Sequence, residues 1–178
     1  KLIIRKEKWF TDQGIELKLG VRAVSLEPDD RTVLLDDSTT LPYDACLLAT
    51  GGRPFVPPFE GKDLDGVFSI RTDGDVDGLR DRAKASGAVV AIGGGVLGLE
   101  MANGLASMGV QVTVVEVFPW LLPRQLDPAG GKVLQSILEK KGLTFRLDAK
   151  VGAIGGDGRV DRVELEGEAP AVRQAQHV

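Results

Sequence analysis

The chain has 178 residues, of which 43% are apolar, and its formal net charge at pH 7 is −4. This length and composition allow one domain or two small ones with a packed core, and they argue against a disordered chain. The sequence has no basic stripe, so nucleic acid is not an expected partner, and no apolar run approaches the roughly 20 residues of a membrane span.

The single cysteine, Cys46, and the single histidine, His177, restrict the chemistry further. One cysteine excludes an intrachain disulfide or redox pair, and this residue content argues against a zinc site or a Ser-His-Asp triad. We therefore predict no metal site, and the pattern identifies no catalytic residue. Cys46 lies in an apolar run and is predicted to be a buried strand thiol. No signal-like segment is present, so the expected location is the cytoplasm.

The first part of the chain is predicted to form short strands joined by turns. Lys1–Phe10 has no helix cap, which favours an internal piece of a longer protein. Ile15–Leu19 alternates apolar and polar residues, and Val21–Leu26 and Thr32–Leu35 follow with a turn between them. Alternation and turn residues predict an antiparallel meander. It leads into a buried strand at Ala45–Ala49.

The middle of the chain is rich in glycine and proline. Thr50–Pro54 places two glycines after the predicted strand, where a plain turn is the ordinary interpretation and a ligand-binding turn the alternative. Phe55–Gly61 is proline-rich and is interpreted as a linker. Thr72 or Asp73 is expected to cap a helix that runs to about Ser86.

The rest of the chain alternates strands and helices. The order predicts an α/β fold with a Rossmann-like parallel sheet, followed by a β-hairpin. The predicted segments are a strand at Val89–Ile92, a helix, a strand at Val110–Val115, a helix at Lys132–Lys141 with Asp127 and Pro128 at its start, a strand at Leu143–Leu147, hairpin strands at Val151–Ile154 and Val160–Leu165, and a tail without a period at Ala169–Val178.

Three glycines between the first parallel strand and the next helix form the pattern G-x-G-x-x-G. Gly93 allows a sharp turn, Gly95 leaves room for a diphosphate, and Gly98 lets the helix pack closely. The helix would direct its free N–H groups at the diphosphate. The pattern therefore predicts a dinucleotide site; the alternative is a turn that serves only packing.

An acidic residue, Glu116, ends the second parallel strand, 23 residues after Gly93. A carboxylate at this position can accept hydrogen bonds from a ribose 2′-hydroxyl. It would repel a 2′-phosphate, so we predict a preference for NADH over NADPH. The alternative is a solvent-facing acid at a strand end.

Two stretches carry a resemblance to a known family. Tyr43–Pro54, YDACLLATGGRP, resembles the strand and turn beside the flavin in FAD-dependent pyridine nucleotide–disulfide oxidoreductases. Ile92–Ala102, IGGGVLGLEMA, resembles their NAD(P)H fingerprint. Glu116–Asp127 is similar to the branch with nitrite reductase large subunits and rubredoxin or ferredoxin reductases. The family's FAD fingerprint would precede Lys1, so the chain is expected to be the middle of such an enzyme.

The resemblance implies a partial FAD-binding domain at 1–58 and an NAD(P)H-binding Rossmann-like domain at 67–178. Glu100 would steer the nicotinamide end; the alternative is an acid favoured by the helix dipole. The matching positions are Gly93, Gly94, Gly95, Val96, Leu97, Gly98, Glu100 and Glu116 for NAD, and Thr50, Gly51 and Arg53 on the FAD side.

The function implied is hydride transfer from NAD(P)H to FAD and onward to an acceptor protein or domain. Three alternatives remain open from the residues. One is a sensor module that binds NAD without turnover, another is a methyltransferase with a similar glycine turn, and the third is a purely structural module.

Overall fold

The computed structural model describes residues 4–167, so His177 and the tail Ala169–Val178 lie outside the described residues. The chain divides into two compact units, Lys1–Gly52 and Arg53–Val178. Among residues 4–167, no helix combines the length and the apolar character that a membrane crossing needs. The same residues hold no group of three or more acidic, His or Cys side chains arranged to bind a metal ion.

The first unit has one helix and a three-stranded antiparallel sheet. Its elements are α1 (Glu7–Asp12), β1 (Ala23–Glu27), β2 (Thr32–Leu35) and β3 (Thr40–Pro42), and the strand order is β1-β2-β3. The predicted antiparallel strands at Val21–Leu26 and Thr32–Leu35 are confirmed as β1 and β2. Neither α1 nor β3 is predicted by the sequence pattern. Ile15–Leu19 is not a strand, because alternation needs a neighbouring strand to become a ladder. Its first residue instead donates its N–H to Phe10 O, 2.9 Å away.

The prediction of a buried strand at Ala45–Ala49 is wrong. The segment has irregular backbone and is exposed throughout; Leu47 is 88% exposed, and Cys46 is exposed rather than buried. A strand inside a sheet needs hydrogen-bonding neighbours on its flanks. None of the strands in the described part of the chain pairs with this segment.

The second unit is an α/β structure, as the sequence predicts. Its elements are α2 (Asp73–Ser86), β4 (Ala88–Ile92), α3 (Val96–Ser107), β5 (Gln111–Val115), α4 (Pro128–Glu139), β6 (Leu143–Arg146), β7 (Val151–Gly155) and β8 (Arg162–Leu165). Strands β4, β5 and β6 form a parallel sheet in that order, and β7 and β8 form an antiparallel hairpin. The carboxyl ends of β4 and β5 meet, since Ile92 pairs with Val115.

Local signals set the helix ends of this unit. The Thr72 hydroxyl accepts the Asp75 N–H at 3.3 Å, and the Asp75 carboxylate accepts the Thr72 N–H at 2.7 Å, which is a capping box. Hydrogen bonds from the backbone of Thr72, and then of Arg71, lower the pKa of Asp75. Gly87 ends α2 in the left-handed conformation, with φ 72°.

Helix α4 begins earlier than the apolar period predicts. The Asp127 carboxylate accepts the Gly130 N–H at 2.7 Å, and Pro128 occupies the first turn. The helix therefore starts at Pro128 rather than Lys132, because the cap and the proline define the start more sharply than the apolar spacing does.

The main core lies between the parallel sheet and its helices. Its buried members come from the sheet, from its helices and from the loops between them: Leu79, Ala83, Leu99, Ala102, Leu105, Val110, Val112, Val114, Leu121, Leu138 and Leu143. Burial of apolar surface stabilises the folded state by about 25 cal/mol per Å². The packing of this core holds the carboxyl edge of the sheet in place. That edge carries the glycine turn.

Candidate functional site

The glycine turn continues β4 directly into α3. Gly93 has φ 110°, a value that favours glycine, and its N–H donates to Val115 O at 2.8 Å. A Cβ at Gly98 would lie 2.4 Å from Gly93 O, so α3 packs against the turn itself. The first and third glycines are therefore required by the local geometry.

The second glycine of the pattern has a different environment. Gly95 is the N-cap of α3, and a Cβ there would meet no heavy atom within 4 Å. The first-turn N–H groups, including those of Val96 and Leu97, have no partner inside the helix. Open space in front of such N–H groups suits an anionic group such as a diphosphate.

The Glu116 side chain lies against the same turn. Its Oε2 accepts the Gly94 N–H at 2.5 Å, and its Oε1 accepts the Phe118 N–H at 2.9 Å. The residue is only 7% exposed, so it is not a solvent-facing strand-end acid. Each carboxylate oxygen has two lone pairs, which leaves acceptor capacity for further donors such as hydroxyl groups.

The main chain of Glu116 is held as firmly as its carboxylate. Its N–H donates to Arg146 O at 2.9 Å, and its carbonyl accepts the Ala149 N–H at 3.1 Å. The acid therefore sits between the glycine turn and the end of β6. Buried carboxylates that accept backbone N–H groups are fixed in direction by these charge-assisted bonds.

Glu100 is exposed on α3, one turn beyond the start of the helix. It lies on the wall of an apolar cavity of about 810 Å³, which Ile92, Leu97 and Met101 also line. This volume falls within the range of small-molecule pockets. Residues of β4 and α3 line the cavity and Glu116 does not, so the two acids lie in different places around the glycine turn and α3.

The flavin-side positions do not form a cradle in the described residues. Thr50, Gly51 and Arg53 are all exposed and lie in irregular backbone. A ligand at the end of a strand depends on a sheet that fixes the strand. These residues therefore do not by themselves fit FAD.

Two residues outside the predicted site also contact the glycine turn. A Cβ at Gly94 would lie 2.9 Å from Leu121 Cδ2, and Leu122 donates its N–H to Gly94 O at 3.4 Å. No motif signals these residues, because their spacing from the glycines depends on the path of the loop. The available signal in the sequence was the apolar character of residues 117–122.

Comparisons with known proteins find a matching family and similar relatives. A family model described as pyridine nucleotide-disulphide oxidoreductase matches residues 5–177. The chain is 39% identical over 158 residues to a nitrite reductase (NAD(P)H) of Bacillus subtilis strain 168, covering 89% of this chain and 20% of that protein. It is 34% identical over 164 residues to a rubredoxin-NAD(+) reductase of Pseudomonas putida, covering 92% and 43%.

A solved ferredoxin reductase from Rhodopseudomonas palustris has the same fold over nearly the whole chain. The TM-score is 0.89 with 31% identity, and the match covers 97% of this chain and 43% of that chain. The chain thus spans less than half the length of each of these relatives.

Proposed function

The chain belongs to the pyridine nucleotide-disulphide oxidoreductase family, and on that premise we propose that it is the NADH-binding portion of an FAD-dependent oxidoreductase. The chemistry of the whole enzyme would be hydride transfer from NADH to FAD, followed by electron transfer to an acceptor protein or domain. The task of this chain is to bind and orient the dinucleotide.

The observation that carries the proposal is the hydrogen bond between Glu116 Oε2 and the Gly94 N–H, 2.5 Å long and joining residues 22 positions apart. It brings an acid from the end of β5 to the glycine turn after β4. A dinucleotide needs both features close together, since its diphosphate and its adenosine ribose are covalently linked.

Each residue then has a separate role. The N–H groups at the start of α3 would bind the diphosphate, and the carboxylate of Glu116 would accept the ribose hydroxyls. Glu100, on the wall of the apolar cavity, would steer the nicotinamide end. Two like charges about 4 Å apart repel by roughly 4 kcal/mol at an effective dielectric of 20, so the 2′-phosphate of NADPH would bind poorly beside Glu116.

Titration of the chain with both nucleotides tests this function. We expect NADH to bind at least about tenfold more tightly than NADPH, since only part of that repulsion survives solvent screening. Glu116→Gln keeps the shape but removes the charge, and Glu116→Ala removes both, so each should narrow the gap between the nucleotides.

Glu139→Gln is the matched control, because Glu139 is an exposed acid at the end of α4 whose carboxylate accepts a hydrogen bond from the Gln135 side chain. It should leave both affinities unchanged. Equal affinity of the unaltered chain for NADH and NADPH would contradict the role of Glu116, and no binding of either would contradict the function itself.

A further inference from the structure

Gly94 is one of the variable positions of the glycine pattern, yet it is buried and closely surrounded. Its N–H donates to Glu116 Oε2 at 2.5 Å, and its carbonyl accepts the Leu122 N–H at 3.4 Å. A Cβ at this position would lie 2.9 Å from Leu121 Cδ2 and 3.2 Å from the Cβ of Glu116. Glu116, Leu121 and Leu122 therefore all lie against Gly94.

Leu121 is the apolar part of that contact. It is fully buried, and it is the largest of the side chains with almost no exposed surface. It belongs to the main core, yet its methyl group reaches the backbone of the turn rather than only other side chains. A side chain at this place can fix the position of the turn relative to the core, because close-packed interiors do not deform freely.

The backbone beside Leu121 adopts an unfavourable conformation. Leu122 has φ 53°, in the left-handed region that bulky residues rarely adopt. Its carbonyl accepts two N–H groups, from Gln125 at 2.9 Å and from Leu126 at 2.8 Å. Such a conformation persists only where the surroundings define it fully.

The far side of the segment is anchored on α4. Trp120 packs so closely on Gly131 that a Cβ there would lie 2.8 Å from its Cδ1. The Trp120 indole N–H also donates to Leu126 O at 3.1 Å. Residues 120–122 are therefore held between the helix and the glycine turn.

We propose that Leu121 is a positioning residue for the dinucleotide: together with Leu122 and Glu116 it supports Gly94 from behind and sets the direction of the turn that faces the diphosphate. This inference rests on the proposed function and deepens it. Leu121 itself touches no nucleotide; it acts through the backbone of Gly94.

The test compares Leu121→Ala with Leu138→Ala, a leucine of the same core that lies on α4. Both variants lose the same atoms and should lose comparable stability. The amide resonance of Gly94 in a ¹H–¹⁵N spectrum reports its short hydrogen bond without any ligand. We expect that resonance to shift in Leu121→Ala and to stay in place in Leu138→Ala.

NADH titration is the second measurement. We expect Leu121→Ala to bind NADH about tenfold more weakly, because a loss of that size corresponds to weakening one hydrogen bond to a charged group. We expect Leu138→Ala to bind NADH like the unaltered chain. Leu121→Met keeps the volume and should restore both the resonance and the affinity. If Leu121→Ala does not fold, the same comparison is made with Leu121→Val.

The outcomes separate the two proposals. An unmoved Gly94 resonance, or unchanged NADH affinity in the Leu121 variants, would overturn the inference and leave the proposed function intact. Equal losses of NADH affinity in Leu121→Ala and Leu138→Ala would also overturn it, because the weaker binding would then follow from lost stability alone. Failure of the unaltered chain to bind NADH would overturn both.

Discussion

Two segments of this chain have nearly the same sequence character and different structures. Ala45–Ala49 and Ala88–Ile92 are apolar runs of five residues, and each is followed by glycines. The second is β4, paired along its whole length with β5 and continued by the glycine turn of the candidate site. The first is exposed, irregular backbone.

The difference shows that an apolar run becomes a strand only when a neighbour supplies hydrogen bonds and a surface to cover it. Strand β5 supplies both for β4: Ala88 pairs with Gln111 at one end, and Ile92 pairs with Val115 at the other. Its own inner residues, such as Val114, are fully buried. The glycines differ as well, because a Cβ at Gly98 would lie 2.4 Å from Gly93 O, whereas a Cβ at Gly52 would meet no heavy atom within 4 Å.

The largest expected effect comes from filling the close approach in the second segment. Gly98→Ala would place a methyl group 2.4 Å from Gly93 O, which is backbone and cannot rotate away. We expect a loss of about 3 kcal/mol in the free energy of unfolding, the upper end for overpacking. NADH binding should be lost as α3 moves off the turn. Denaturant unfolding and titration measure the two effects.

Gly52→Ala is the counterpart in the first segment. A Cβ at Gly52 would meet no heavy atom within 4 Å, so we expect a change of about 0.5 kcal/mol or less. Similar losses in the two variants would break the comparison, since the two turns would then be equally constrained.

A smaller effect is expected from truncating one apolar side chain in each region. Val114→Ala removes two methyl groups from a fully buried site, and we expect about 2 kcal/mol of destabilisation from lost burial and the remaining cavity. Leu47→Ala truncates a side chain that is 88% exposed and should have almost no effect. Thermal or denaturant unfolding of both variants measures the contrast; a costly Leu47→Ala would mean that the first segment is covered after all.

The smallest effect concerns the helix that leads into β4. Hydrogen bonds from the Thr72 and Arg71 backbone lower the pKa of Asp75. A carboxylate with a lowered pKa in the folded state adds stability above its usual pKa, and that stability is lost as the pH falls through the lowered value. We expect the acid-induced loss of stability, below about pH 4, to be smaller in Asp75→Asn.

Asp73→Asn is the control for this pH dependence. It removes the same charge from the first turn of α2 but takes no part in the capping box. Unfolding curves measured from neutral to acidic pH should change for Asp75→Asn and stay close to those of the unaltered chain for Asp73→Asn. The same dependence of stability on pH in the two variants would mean that net charge, rather than the capping box, determines the loss of stability in acid.

The sequence by itself determined the features whose causes lie within a few residues. Thr72, Gly87 and the Asp127–Pro128 pair mark the helix ends, because caps and left-handed turns are local interactions. The parallel sheet and the glycine turn were predictable for a related reason. Hydrophobic period and glycine spacing restrict each element, and connection rules leave few ways to assemble them.

Only the tertiary structure decided which apolar runs are covered and what supports the turn. Ala45–Ala49 and Ile15–Leu19 have strand-like patterns but no paired neighbour among the described strands. The contacts of Glu116 with Gly94, and of Leu121 with the same residue, join parts of the chain more than 20 positions apart. The spacing of the glycines and Glu116 predicted a shared site, but the direct hydrogen bond to Gly94 and the contact of Leu121 depend on where distant segments meet, which no local pattern encodes.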